Sequence, residues 1–175
     1  MLKFKWENLT ITTHDDFKKL KNIVNAVKPT IGAVDTETDG LHIINNKPFV
    51  IQFGFLDFPN MRGFTFAIDR ETHFKLAEEV LTYWDEEALK LDMYAGHNIK
   101  FDLHMLTNIG HPYFGSNLTD TMFWIRYGHD ALHTDEGGPP LGLKEYATRY
   151  IDHNAKLHEK ILDKEKAAIT KKYNA

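Results

Sequence analysis

An α/β fold, with a mixed sheet flanked by helices, is predicted by three features of this 175-residue sequence. Strand-like segments at residues 31–36, 49–56 and 63–68 are separated by clusters of turn-forming residues, the pattern of an antiparallel meander. Helical periodicity then alternates with one more short strand, and strands grouped first and mixed with helices afterwards make a mixed sheet with helices packed on it. Finally, 42% hydrophobic and 13% aromatic residues suffice for the buried core of one domain.

The elements follow in order. A strand-like piece at residues 9–12 leads into a helix that begins near Thr13, where Thr13 and Asp16 suit a capping arrangement. Phe17, Leu20, Ile23, Val24 and Val27 give this helix its apolar stripe, and Pro29 ends it. Residues 31–36 are the first central strand. Val50, Ile51, Phe53 and Phe55 make the next strand strongly apolar, and residues 63–68 complete the meander. Asn45-Asn46-Lys47-Pro48 and Asp57-Phe58-Pro59-Asn60 read as the intervening turns. A helix over 74–84, a strand over 92–95, and helices near 99–108, 120–127 and 141–150 complete the set. Phe53, Phe55, Phe64 and Phe66 read as core residues rather than a base-stacking platform.

Composition bounds the function. There is no Cys, so disulfides and thiolate metal sites are excluded and a reducing compartment is compatible. No apolar run reaches the length of a membrane span, and the N-terminus lacks the apolar segment of a signal peptide. A soluble cytoplasmic protein with no membrane partner is expected. The net charge of −4 is unevenly spread: residues 153–175 hold six Lys against three acids, so residues 1–152 carry −7. Phosphate affinity usually comes from Lys and Arg, so such a body binds nucleic acid weakly unless metal ions and backbone groups hold it.

Asp35-Thr36-Glu37 ends the first central strand. Residues i and i+2 of a strand project to one face, so two carboxylates are held together at the end of a buried strand. They repel each other and lose solvation unless a cation sits between them. Mg²⁺ takes such oxygens and keeps several waters. The same residues also read as a polar turn, because Thr38-Asp39-Gly40 follows. A second segment, Ala95-Gly96-His97-Asn98-Ile99-Lys100-Phe101-Asp102, runs from a strand into a helix, with Asn98 placed as its N-cap and the Asn98 side chain expected to accept an amide hydrogen bond. Asp102 then points back toward the sheet edge.

Asp35-x-Glu37 after a strand, followed by Asn98-x-x-Phe101-Asp102 opening a helix, resembles the first two motifs of the DEDD-type 3′-to-5′ exonucleases. Among these it is most similar to the proofreading domain of family-A DNA polymerases of phage type. The resemblance runs from about residue 31 to 151, with Asp120-Thr121-Met122 and the run from Leu141 to Tyr150 resembling later helices. It implies a ribonuclease H-like fold, with residues 1–152 as the exonuclease-like domain and 153–175 as a basic helical C-terminal tail. It also implies a two-metal site for Mg²⁺ or Mn²⁺, with Asp35, Glu37 and Asp102 as catalytic ligands. Thr38, Leu41 and Asn98 resemble positions that touch the terminal nucleotide; their structural roles would be turn, core and N-cap. The implied substrate is a single-stranded DNA 3′ end, in the host cytoplasm if the protein is phage-encoded.

The last motif departs from the pattern. Relatives carry a Tyr or His four or five residues before a fourth metal-binding Asp, and none of the seven Tyr residues here has Asp four positions on. His158 and Asp163 match the histidine spacing, but Glu159 and Asp163 one turn apart also describe a solvated helix. The resemblance therefore implies a truncated or split polymerase gene product, or a fragment, whose tail continues into a missing part of the domain. The alternatives are a catalytically incomplete nucleic-acid-binding module, or an assembly subunit whose tail docks on a separately encoded or downstream polymerase segment. His129 and His133 have the i, i+4 spacing of a helical metal site but no evident third ligand. Gln52 faces away from Ile51 and Phe53, toward either the site or solvent.

Overall fold

A computed structural model of the chain describes residues 4–130 and 143–150. The chain divides into two compact units, Met1–Thr121 and Met122–Ala175. The expected boundary at 152/153, the tail, and His133, His158 and Asp163 lie outside the described residues.

The first unit is built on β1 (Lys5–Thr10), α1 (His14–Val27), β2 (Ile31–Thr38), β3 (Pro48–Asp57), β4 (Arg62–Asp69), α2 (Phe74–Ala88), β5 (Met93–Gly96), α3 (Ile99–Asn108) and β6 (Leu118–Asp120). The sheet order is β1-β4-β3-β2-β5-β6. The expected meander is present: β2 with β3, and β3 with β4, are antiparallel, while β1, β5 and β6 pair in parallel with β4, β2 and β5. This mixed sheet with its helices is a ribonuclease H-like α/β fold.

Local chemistry accounts for both ends of α1. Thr13 and Asp16 form the capping box of α1: Asp16 N–H donates to Thr13 Oγ1 at 3.2 Å, and Thr13 N–H to an Asp16 oxygen at 3.1 Å. Side-chain hydrogen bonds to its carboxylate, first from Thr13 Oγ1 at 2.7 Å and then from Lys19 Nζ at 3.2 Å, hold the Asp16 carboxyl down at about 2. At the other end Lys28 turns left-handed at φ 51° and caps onto the Val24 carbonyl, one residue before Pro29. Phe53, Phe55, Phe64 and Phe66 are core residues, as expected. Phe53 stacks on Trp84 of α2 at 4.5 Å, and the buried Trp84 indole is satisfied by Tyr94 Oη at 3.0 Å.

Several boundaries shift by one to three residues, and three elements depart further from the sequence expectation. The first strand starts at Lys5 rather than residue 9, because pairing with β4 from Lys5↔Arg62 onward and a Glu7–Arg62 ion pair of 2.8 Å extend a polar edge that hydropathy does not register. Helix α2 runs to Ala88 rather than 84, since Ala88 is buried one turn after Trp84. Strand β6 was not expected: three residues carry no periodicity, and only the parallel register Tyr94↔Leu118 to Gly96↔Asp120 makes them a strand.

Helix α4 (Thr121–Asp130), which lies in the second unit from Met122 on, exposes Phe123, Trp124 and Tyr127, with the Phe123 and Tyr127 rings 4.9 Å apart. Helix α5 (Leu143–Tyr150) has Glu145 in its first turn and Arg149 in its last, the order that its dipole favours.

Candidate active site

The site forms where β2 ends. Burial alternates along the strand: Val34 and Thr36 are buried, while Asp35 and Glu37 lie on the exposed face. The register of the β2–β3 pair shifts between Glu37 and Thr38, an irregularity of the kind that re-aims side chains at a strand end. Asp35 pairs with Gln52 across the strands, so the exposed Gln52 shares its face. That register settles which way Gln52 points.

Asp102 sits in the first turn of α3 and is 3% exposed. Its Oδ1 accepts a hydrogen bond of 2.7 Å from Thr36 Oγ1, which ties the start of α3 to the buried face of β2. Burial pushes the Asp102 carboxyl up to about 6, the Thr36 bond opposes this, and the negative charge of Asp35 adds to it. Asp35 and Asp102 are therefore brought within electrostatic reach, and Glu37 lies two residues along the same strand. The three expected ligands are not gathered further: among the described residues no group of three His, Asp or Glu side chains forms a metal-holding cluster. The donor set is all carboxylate oxygen, which suits a hard divalent ion.

The expected capping role of Asn98 is corrected. Asn98 occupies the N-cap position of α3, but its backbone is left-handed (φ 60°, ψ 43°) and its side chain makes no capping bond. Side-chain capping needs an extended backbone. Here the chain is turned so that Asn98 N–H donates to Asp120 Oδ1 at 2.9 Å. Next to it, His97 Nδ1 lies 3.1 Å from Thr121 Oγ1, which in turn donates to the Gly96 carbonyl at 3.1 Å. Asp120 and Thr121 thus brace the turn between β5 and α3. Thr38 has the turn role, donating to the Gly40 carbonyl at 2.7 Å, whereas Leu41 is 85% exposed and is no core residue.

Thr36 is the site residue that sequence reasoning misses, while Gln52, which it leaves facing either the site or solvent, lies on the face of Asp35. A signal existed for Thr36: in Asp-Thr-Glu the middle residue must face the opposite side from the acids, toward whatever packs on the sheet.

A mixed sheet with acids at the end of its central strand, and a further acid in the first turn of the helix beside it, defines a nuclease domain of the DEDD type. The chain belongs to the 3′–5′ exonuclease family, which it matches over residues 8–173. No curated protein sequence matches it. Among solved structures it is similar to the catalytic core of RRP6 from Trypanosoma brucei (TM-score 0.54, 15% identity, covering 85% of this chain and 37% of that one). It is also similar to Escherichia coli RNase D, described as an exoribonuclease involved in structured RNA processing (TM-score 0.51, 19% identity, 83% and 33%). A third is the Aedes aegypti Nibbler EXO domain (TM-score 0.50, 14% identity, 76% and 60%). The chain thus spans 37% and 33% of the length of the first two. Among the described residues no helix is long and apolar enough to cross a membrane.

Proposed function

We propose that this domain removes nucleotides from single-stranded DNA 3′ ends, with Asp35, Glu37 and Asp102 holding Mg²⁺ or Mn²⁺, as part of the proofreading apparatus of a DNA polymerase. The observation that carries the reading is Asp102: a buried carboxyl beside a second acid, with its ionised form disfavoured. Nothing in an apolar core needs such a group, whereas a bound cation relieves both its desolvation and the repulsion from Asp35. The ions supply Lewis-acid stabilisation and a deprotonated water. The chain's own part is to aim Asp35 and Glu37 from one face of β2 and to fix Asp102 through Thr36. By the resemblance, Thr38, Leu41 and Asn98 are assigned to the terminal nucleotide. The polymerase partner, in this reading, is a downstream or separately encoded segment.

A second reading, a module that binds single strands without cutting them, is favoured by the lack of any Tyr-x-x-x-Asp in the 175 residues. The test is a 5′-labelled single-stranded oligonucleotide incubated with the domain and Mn²⁺, in DNA and RNA versions. A ladder shortening from the 3′ end of DNA, absent in Asp35→Ala, supports the proposal. Shortening of RNA alone would replace the substrate, and binding without shortening would favour the second reading.

A further inference from the structure

Helix α3 has Asp102 in its first turn and a second charged cluster just past its last. The helix ends in a Schellman motif: Gly110 turns left-handed at φ 92° and donates to the Thr107 carbonyl at 3.1 Å, and His111 N–H donates to the Leu106 carbonyl at 3.0 Å. The His111 side chain, 8% exposed, is met by two carboxylates of α2 that stand seven residues, about two turns, apart on that helix. Asp85 Oδ2 lies 2.7 Å from Nδ1, and Glu78 Oε2 lies 3.5 Å from Nε2. Glu78 turns its other oxygen to Arg70 Nε at 3.2 Å, one residue past β4. Asp85, Glu78 and, behind Glu78, Arg70 are thus the charged groups facing the ring, while the nearby Tyr113 hydroxyl is engaged with Asn117 and the Ala88 carbonyl.

A neutral imidazole carries one N–H and one lone pair, so it can serve one of these acids and not both. The short contact with Asp85 puts a proton on Nδ1, and a neutral ring would then aim its Nε2 lone pair at a Glu78 oxygen. The imidazolium donates from both nitrogens and satisfies the whole arrangement, and a buried cation is tolerated when it is paired in this way. We propose that His111 is a pH-operated clasp: the imidazolium fastens the end of α3 to α2 through Asp85 and Glu78 together, and the neutral ring keeps Asp85 but releases Glu78 to Arg70. The hydrogen bond to Asp85 raises the His111 pKa above the ordinary 6.5, burial opposes this, and the charges of Asp85 and Glu78 add to the rise. The stability that the clasp contributes is therefore complete below 6.5 and is lost as pH rises through the folded value. The clasp uses none of the acids at the end of β2 and does not depend on the nuclease reading.

Nitrogen-15 NMR of the imidazoles in the full chain, over about pH 5 to 9 around the ordinary His value, counts the protons on the ring directly. His111 should keep both of them past the ordinary midpoint, and the Glu78 carboxyl carbon should shift at the same pH as the ring. Glu78→Gln should lower the His111 midpoint, and Asp85→Asn should lower it further. In thermal melts the wild type should lead His111→Gln by a few degrees below pH 6.5, and the lead should shrink as pH rises through the His111 midpoint. Running both chains in an Asp102→Asn background keeps the other loss at rising pH out of the comparison. If His111→Gln does not fold, the wild-type titration and Glu78→Gln, whose side chain is 36% exposed, decide the matter. A His111 midpoint at or below the ordinary value, a Glu78 carboxyl that does not move with the ring, or a lead over His111→Gln that stays constant with pH would overturn the clasp.

Discussion

Thr36 Oγ1 donates to Asp102 Oδ1 across 2.7 Å, joining residues 66 apart in the chain at the point where β2 and α3 meet. The bond is buried, and it is one of the influences that keep the Asp102 carboxyl from rising above about 6. Thr36→Val retains the shape and removes the donor. It should raise the Asp102 pKa further and destabilise the ionised state by roughly 1.5–3 kcal/mol, the usual range for a hydrogen bond to a charged group. A carbon-13 NMR titration of the Asp carboxyls in wild type and variant measures the shift; an unmoved Asp102 would mean that the hydroxyl is not its partner in solution.

Asp102 also sets a pH dependence. Its folded pKa, about 6, lies above the ordinary 3.8. Between these values the folded state holds the extra proton, so the contribution to stability is complete below about 3.8 and is lost as pH rises through 6. The loss comes to about 3 kcal/mol at roughly 1.4 kcal/mol per pKa unit. Melts of metal-free protein from pH 4 to 8 should show this fall, and Asp102→Asn should remove that component. Mg²⁺ should restore stability at high pH in wild type and not in Asp35→Ala. Equal restoration in both would place the ion elsewhere.

Asn98 separates backbone from side chain. Its left-handed conformation suits Gly and tolerates Asn, and its N–H, not its amide, is engaged by Asp120. Asn98→Gly should leave the melting temperature within a few degrees of wild type, whereas Asn98→Ala should cost about 1 kcal/mol. If the side chain touches substrate, both variants lose oligonucleotide affinity equally. Affinity retained in Asn98→Gly would confine the residue to the turn.

Much of this architecture was legible because it obeys local rules. The meander follows from apolar runs and turn clusters, α1 from its capping box, and the places of Asp35, Glu37 and Asp102 from their motifs at the ends of a strand and the start of a helix. What escaped the sequence depends on register and on distant partners. Strand β6 exists only through β5, the orientation of Gln52 only through its pairing with Asp35, and the left-handed Asn98 only through Asp120, 22 residues on. Leu41 reads as core by residue type, yet the hydrogen-bonded loop that carries it leaves it in solvent.

The central claim is that Asp35, Glu37 and Asp102 hold the divalent ions, and Mn²⁺ anomalous scattering from crystals of the domain soaked in MnCl₂ tests it most directly. The account predicts a peak at about 2.1 Å from carboxylate oxygens of Asp35 and Asp102, with Glu37 joining the ion or a second one, and no peak in Asp35→Ala. Strong Mn²⁺ peaks elsewhere with none at the end of β2, or the same peak retained in Asp35→Ala, would contradict it.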